Sequence, residues 1–225
     1  MELKGKKVAF LGDSITEGAG VSDIANCRYD NRLKKMCGFA EVYNYGVGGS
    51  RIAYQSTPTL DNPAHDLYFC GRMQKMTRDA DLVIVYGGVN DYLHGDAPIG
   101  KYGDDTPTTF YGAVRYLMTR LPERYPEGKI VFLTPAHCCR PIGSDALPSP
   151  RPMKRADAQP LAFYVDVIEK TAKEFGYPVF NMYENLGLDP NDEEIREKYT
   201  VDGLHFNDDG HAIIAEKVKA FLESI

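Results

Sequence analysis

The sequence predicts an α/β protein: a three-layer α/β/α sandwich around a five-stranded parallel sheet. Two observations predict this fold. Short runs of β-branched and aromatic residues recur along the 225 residues, and segments with apolar residues at helical spacing lie between them. Alternating strands and helices build right-handed parallel units, and five strands are too few for an eight-stranded barrel.

Five segments have the composition of buried strands. In chain order they are Val8–Leu11, Val42–Tyr45, Leu82–Tyr86, Ile130–Leu133 and Val179–Phe180. The connections between them are long enough to hold crossover helices, so the strands are expected to run parallel. We expect the flavodoxin-like strand order 2-1-3-4-5.

Three further segments have the apolar periodicity of helices. They are Phe110–Arg124, Leu161–Phe175 and a last helix whose apolar stripe contains Ile213, Ile214, Val218, Phe221 and Leu222. Asn207-Asp208-Asp209 is a capping sequence for the last helix, and Gly176-Tyr177-Pro178 ends the helix before it. The chain has no repeat and no linker, which predicts one domain over residues 1–225.

Two long loops rich in Gly and Pro follow predicted strands. They are Tyr92–Thr109 and Pro135–Ala156. Loops of this length in a compact domain often form lids or walls of a binding site, and a plain surface excursion is the alternative.

The charge balance excludes some classes of partner. Lys and Arg number 26 against 32 Asp and Glu, a net charge of −6, and no block of basic residues is present. Nucleic acids and anionic membranes require concentrated positive charge, so neither is expected as a partner. No segment has the length of apolar sequence that crosses a membrane, and the N-terminal residues lack a signal-peptide core, which predicts a cytoplasmic protein.

The cysteines and histidines do not form a recognisable metal or disulfide pattern. The cysteines are odd in number, namely Cys27, Cys37, Cys70, Cys138 and Cys139, and their spacing contains no C-x-x-C pair. The sequence also lacks H-E-x-x-H, the phosphate loop with its lysine, and the G-x-G-x-x-G fingerprint. We therefore expect no metal, no nucleotide and no other cofactor.

Chemistry-bearing residues follow the first three strands. These loops are Gly12–Gly18, Asn44–Ser50 and Gly87–Asp91. In the 2-1-3-4-5 order they are neighbours at the carboxyl edge of the sheet, where ligands bind in open α/β folds. Taken singly, each loop is better explained as an ordinary helix cap or turn than as a functional site.

The segment Asp202-Gly203-Leu204-His205, just before the last helix, favours a catalytic interpretation. Acyl transfer needs a hydroxyl nucleophile, an imidazole base, a carboxylate that orients the base, and donors for the oxyanion. Ser14, His205 and Asp202 supply the first three. The Gly49 N–H and the Asn90 amide supply the donors.

With these residues identified, the sequence resembles the SGNH/GDSL hydrolases. The four blocks that carry the resemblance are Gly12-Asp13-Ser14-Ile15 (G-D-S-L), Gly46-Val47-Gly48-Gly49 (the glycine block), Gly88-Val89-Asn90-Asp91 (G-x-N-D) and Asp202-Gly203-Leu204-His205 (D-x-x-H). They occur in the family's order, and the resemblance spans residues 8 to 211. The departures are Ile15 for Leu, and Phe206 where many members have Pro.

The resemblance implies a role for each site residue. Ser14 is implied to be the nucleophile and to donate its backbone N–H to the oxyanion. Gly49 donates a second N–H, and Asn90 donates through its side chain. His205 is the implied general base and Asp202 the carboxylate that orients it.

The resemblance also implies ester hydrolysis, without a single substrate. Acetylated sugars, lysophospholipids, acyl thioesters and simple esters all occur in the family. The absence of a long apolar lid favours a small, short-acyl ester, and an O-acetylated carbohydrate is one candidate. A lysophospholipase, a thioesterase, an acyltransferase and a non-catalytic carbohydrate- or acyl-binding domain remain alternatives, and the sequence does not fix the oligomeric state.

Several other side chains are weaker candidates. His94 and His137 lie in the long loops and are candidates to line a pocket, whereas His211 is expected to be a helix residue and not a base. Four tyrosines are candidates for stacking on sugar rings or for ordinary packing: Tyr54, Tyr68, Tyr92 and Tyr102. Four basic residues predict a patch for an anionic leaving group or a solvated loop: Arg140, Arg151, Lys154 and Arg155.

Overall fold

The computed structural model of the protein describes residues 1–58, 63–139 and 159–225. Within these residues one sheet is formed by β1 (Lys7–Gly12), β2 (Glu41–Gly46), β3 (Leu82–Tyr86), β4 (Lys129–Leu133) and β5 (Val179–Phe180). The strand order is β2-β1-β3-β4-β5, and every neighbouring pair is parallel. The predicted order 2-1-3-4-5 is confirmed.

Ten helices accompany the sheet in the described part of the chain. They are α1 (Ser14–Glu17), α2 (Ile24–Cys27), α3 (Tyr29–Cys37), α4 (Phe69–Arg72), α5 (Val89–His94), α6 (Phe110–Arg124), α7 (Leu161–Phe175), α8 (Met182–Asn185), α9 (Glu193–Tyr199) and α10 (Asp208–Ser224). The three longest are those that the apolar periodicity predicts. The shorter ones span nine residues or fewer, over which an apolar period is not distinctive.

The sheet has an apolar layer on each face, because alternate strand residues point to opposite sides. On one face Leu11 and Val85 join a core with residues of α4, α6 and α7. On the other face Phe10 and Ile84 join a core with residues of α3 and α10. The predicted three-layer sandwich is therefore confirmed.

The predicted ends of the last two long helices are present. The Asn207 side-chain oxygen accepts the N–H groups of Asp209 and Gly210 at the start of α10. The Gly176 N–H donates to the carbonyls of Ala172 and Lys173 at the end of α7. Each contact satisfies backbone groups that a helix end leaves without intrahelical partners.

The first of the two long loops is shorter than the sequence predicts. Tyr92–His94 belong to α5, so the interpretation of Tyr92–Thr109 as wholly a loop was wrong for these residues. Gly88 and Gly95 bound this six-residue helix, which is too short to show a period. In the second loop, Pro135–Ala156, only residues 135–139 are described, so Arg140, Arg151, Lys154 and Arg155 lie outside the described residues.

The strand register brings the candidate loops together. Gly12, the last residue of β1, is opposite Gly46 of β2 on one side and Tyr86 of β3 on the other. The three loops that follow therefore start side by side at the carboxyl edge of the sheet.

Among the helices described, none combines the length and apolar character needed to cross a membrane.

His211 is a core residue of α10. Its side chain is fully buried, its Nδ1 accepts the Tyr29 N–H at 3.2 Å, and its ring stacks on the Tyr29 ring. Burial lowers the pKa of His211 to about 3. The imidazole is therefore neutral in the folded protein at any pH near neutrality, and it serves the packing of α10 against α3.

Neutral burial of His211 predicts an acid-dependent loss of stability. Below about pH 6.5 the unfolded chain binds a proton at this histidine, whereas the folded chain does so only near pH 3. The free energy of unfolding should therefore fall as the pH decreases between these values. His211→Asn keeps an acceptor for the Tyr29 N–H and removes this titration.

Urea unfolding at pH 7, 6, 5 and 4 measures the effect. The stability advantage of the wild type over His211→Asn should shrink by up to about 1.4 kcal/mol per pH unit, the limit for one proton. Asp13, whose pKa burial raises to about 6, titrates in both proteins and cancels in the comparison. A pH-independent difference would contradict a neutral buried His211.

Candidate active site

Ser14, His205 and Asp202 form a continuous chain of hydrogen bonds. Ser14 Oγ lies 2.9 Å from His205 Nε2. On the other side of the ring, His205 Nδ1 lies 2.8 Å from Asp202 Oδ2. The structure thus brings Ser14 to two residues that lie nearly the whole chain away from it, in the order hydroxyl, imidazole, carboxylate.

The position of Ser14 follows from the end of β1. Asp13 caps α1 by accepting the Ile15 N–H on Oδ1 at 3.0 Å. Ser14 is the first residue of this helix, so its own N–H has no intrahelical acceptor. Burial raises the pKa of the Asp13 carboxyl to about 6, and its Oδ2 has no hydrogen-bond partner among the residues that the structure describes.

The Asp202–His205 turn is held by its own carboxylate. Asp202 Oδ1 accepts the N–H groups of Leu204 at 3.0 Å and His205 at 2.7 Å, which leaves Oδ2 for the imidazole. Burial opposes ionisation, but the hydrogen bonds from His205 and Leu204 hold the pKa of Asp202 well below its ordinary value. Asp202 is therefore a carboxylate throughout the neutral range.

Gly203 lets this turn pack against the loop after β4. Its φ is +79°, and a Cβ at this position would lie 1.5 Å from the carbonyl oxygen of Cys139. The Gly203 carbonyl in turn accepts the Cys139 N–H at 2.8 Å. No side chain fits here without moving the backbone that carries Asp202 and His205.

The glycine loop after β2 lies beside the nucleophile. The Val47 N–H donates to the Gly12 carbonyl at 3.2 Å, and a Cβ at Gly48 would lie 3.9 Å from Ser14 Cβ. Gly49 has a φ of +70° and packs under the His65 ring, whose Cδ2 would be 2.1 Å from a Cβ at Gly49. The Gly49 N–H makes no hydrogen bond within the described residues.

Asn90, in the first turn of α5, contacts the same loop. Its side chain is buried, and Nδ2 donates to the Ser50 carbonyl at 3.1 Å. Its Oδ1 lies 2.9 Å from His94 Nε2, one helical turn further on. The next residue, Asp91, accepts the N–H groups of Ile52 and Ala53 at 2.8 and 2.9 Å.

Sequence reasoning missed Arg72, which joins the ends of the strands beneath the site. Its guanidinium donates to the carbonyls of Tyr45 at 2.5 Å and Gly12 at 2.8 Å, and to Ser50 Oγ at 2.8 Å. The fork of guanidinium donors suits several carbonyls at once. Arg72 lies in the short helix α4, and no sequence signal marks it.

Four of the weaker candidates have ordinary packing contacts. The His137 ring stacks on Tyr183 at 3.6 Å between centroids, Tyr92 packs edge-on against Tyr164, and Tyr54 packs edge-on against Tyr68. Tyr102 is 66% exposed. Among the described residues no three His, Cys, Asp or Glu side chains are placed to hold a metal ion.

Comparison with known proteins decides the family. The profile of the GDSL-like Lipase/Acylhydrolase family matches residues 10–213, which include all four sequence blocks. The chain belongs to this family. It is an ester-hydrolysing enzyme of the SGNH/GDSL type, and the resemblance inferred from the blocks is confirmed. The organisation of residues 1–225 as one domain stays a prediction.

Solved structures give the same fold. A Lactobacillus plantarum protein is 32% identical, with a TM-score of 0.82 and 98% of each chain covered. An acetyl xylan esterase is 22% identical, with a TM-score of 0.60 and coverage of 95% of this GDSL-like enzyme and 98% of the other chain. A carbohydrate acetylesterase family member from Sinorhizobium meliloti is 17% identical, with a TM-score of 0.61 and 97% and 98% covered. The latter two likenesses, at identities below 25%, show the fold alone. A comparison with curated proteins found no match to this chain.

Proposed function

We propose that this GDSL-like enzyme hydrolyses a small carboxylic ester through an acyl-enzyme on Ser14. The observation that carries the proposal is the hydrogen-bonded chain from Ser14 Oγ through His205 to Asp202. A serine with an imidazole on its hydroxyl and a carboxylate on the far ring nitrogen is the arrangement that activates serine nucleophiles.

In the first half of the reaction Ser14 Oγ attacks the ester carbonyl carbon. His205 Nε2 takes the Ser14 proton as the Oγ–C bond forms, and Asp202 stabilises the imidazolium. The tetrahedral intermediate then breaks its bond to the alcohol oxygen, and His205 gives its proton to the leaving alcohol. The product is an acyl-enzyme ester.

In the second half a water molecule attacks the acyl carbon. Its proton goes to His205, the bond from the acyl carbon to Ser14 Oγ breaks, and the proton returns to Ser14. The same atoms therefore serve both halves, with His205 alternating between base and acid.

Three groups are the proposed donors to the oxyanion: the Ser14 N–H, the Gly49 N–H and the Asn90 amide. Each lies at the carboxyl edge of the sheet and has an N–H without an acceptor among the described residues. Such donors stabilise the negative charge that develops on the carbonyl oxygen.

A short acyl group, carried by an O-acetylated carbohydrate, is the proposed substrate class. The His65 ring covers Gly49 and narrows the space beside the proposed oxyanion donors. The fold neighbours that are named as an acetyl xylan esterase and a carbohydrate acetylesterase family member agree with an acetyl group. The proposed partner is thus a small-molecule ester.

Initial rates on p-nitrophenyl acetate, butyrate and octanoate test the acyl preference. We expect kcat/KM to be highest with acetate and to fall with chain length, and acetate to be released from acetylated xylo-oligosaccharides. Faster cleavage of octanoate or of a lysophospholipid would contradict a short-acyl site. Acetyl transfer to an added acceptor alcohol in place of hydrolysis would identify an acyltransferase, and binding of acetylated sugars without turnover would identify a binding domain.

A further inference from the structure

We propose that His94 is a positioning residue that acts through Asn90, and that Arg51 selects the tautomer in which it does so. This inference rests on the proposed function, because it assumes that Asn90 donates to the oxyanion. Its basis is a line of three side chains in which Arg51 contacts His94 and His94 contacts Asn90.

The Arg51 contact fixes which nitrogen of His94 carries the proton. Arg51 Nη2 lies 2.5 Å from His94 Nδ1. A guanidinium has only donors, so Nδ1 must accept and cannot hold a proton. The neutral imidazole then carries its proton on Nε2.

The Nε2 proton in turn fixes the orientation of the Asn90 amide. His94 Nε2 lies 2.9 Å from Asn90 Oδ1, so it donates to that oxygen. At the other end of the amide, Nδ2 donates to the Ser50 carbonyl, which is only an acceptor. Both ends of the amide are thus specified, and a flipped Asn90 would face donor to donor and acceptor to acceptor.

This orientation leaves one Nδ2 hydrogen for a substrate. Nδ2 has two hydrogens, and the Ser50 carbonyl takes one of them. Donation from His94 into Oδ1 draws charge from the amide, which makes the remaining N–H a better donor to a developing oxyanion. The benefit arises only when charge appears on the substrate, so it should be seen in kcat and not in KM.

Arg51 also contacts the segment that covers Gly49, the second proposed oxyanion donor. The Arg51 side chain is buried, its Nη1 donates to the His65 carbonyl at 2.8 Å, and it lies 3.6 Å from the Asp66 carboxylate. The His65 ring covers Gly49. Arg51 therefore holds both the segment over Gly49 and the histidine behind Asn90.

A double-mutant cycle on p-nitrophenyl acetate hydrolysis tests the inference. Asn90→Ala should lower kcat by about 10²–10³, the usual effect of removing one oxyanion donor. His94→Phe keeps a ring without the donor and should lower kcat about tenfold at unchanged KM, the upper end for loss of one neutral hydrogen bond. His94→Gln, whose amide offers an acceptor and a donor, should restore most of that loss. In the Asn90→Ala background His94→Phe should have no further effect.

The outcomes separate this inference from the proposed function. Wild-type kcat in Asn90→Ala would overturn the oxyanion role and with it the positioning role. A large loss in Asn90→Ala with none in His94→Phe, or an equal loss from His94→Phe in both backgrounds, would overturn the positioning role alone. His137→Phe, a ring at the Tyr183 stack, is the matched control and should retain wild-type kcat.

The tautomer has a readout that does not depend on activity. Nitrogen-15 NMR of the histidine rings distinguishes a protonated Nε2 from a protonated Nδ1. We expect the proton of His94 on Nε2 in the wild type. A proton on Nδ1 would overturn the role of Arg51, whatever the kinetics of the variants.

Discussion

Replacing Ser14 by alanine should lower kcat for p-nitrophenyl acetate by about 10⁶, the loss seen when a serine hydrolase is deprived of its nucleophile. Ser14 Oγ is hydrogen-bonded to His205 Nε2 and is the proposed nucleophile. Alanine has no hydroxyl, so no acyl-enzyme can form at this position. The residual rate would come from the oxyanion donors and from binding of the ester. Stopped assays at high enzyme concentration measure the loss.

The fold should survive this substitution. Ser14 is a buried residue at the start of α1, and alanine is smaller and favours helix. The cap of α1 comes from Asp13 and is unchanged. Equal circular dichroism spectra, and free energies of unfolding in urea that agree within about 1 kcal/mol, would establish that only the chemistry was removed.

Covalent labelling adds an independent test. A fluorophosphonate should add one mass increment to the wild type and none to Ser14→Ala. Ser22→Ala is the matched control, because Ser22 is an exposed serine that hydrogen bonds to Asp208 and lies outside the proposed site. Labelling of Ser14→Ala at a catalytic rate would mean that another residue is the nucleophile.

Much of the site could be predicted because its residues occupy short blocks tied to strand ends. A cap such as Asp13, and a turn such as Asp202–His205, are local structures that sequence spacing determines. The strand order then brings these blocks to one edge. Predicting the fold therefore also predicted which loops meet.

The supporting contacts could not be predicted in the same way. Arg72 donates to carbonyls that belong to two strand ends, and any residue has a carbonyl, so no pattern in the sequence identifies its partners. Arg51 and His94 are 43 positions apart, and no spacing rule links two residues so distant in sequence. The contact between His94 and Asn90 could have been predicted, because a spacing of four on one helix places the two side chains on the same face.

Replacing Asp202 by asparagine should lower kcat by about 10⁴ while leaving KM near the wild-type value. In the wild type, Oδ1 of Asp202 accepts two backbone N–H groups and Oδ2 faces His205 Nδ1. The asparagine must keep its oxygen on the two N–H groups, so its NH₂ faces the imidazole. His205 Nδ1 then has to accept, which puts the ring proton on Nε2, where it faces Ser14 and blocks proton transfer from the hydroxyl.

Asparagine can accept the same two backbone N–H groups as Asp202, so the turn should keep its structure. The substitution therefore tests the tautomer of His205. Asp209→Asn, an exposed carboxylate in the first turn of α10, is the control for loss of charge and should keep wild-type kcat. Because Ser14, His205 and Asp202 act as one unit, the double variant Ser14→Ala/Asp202→Asn should be no slower than Ser14→Ala alone. A kcat of Asp202→Asn within tenfold of the wild-type value would show that His205 keeps its working tautomer without the carboxylate. Additive losses of kcat in the double variant would mean that Asp202 contributes to the reaction by a route that does not pass through Ser14.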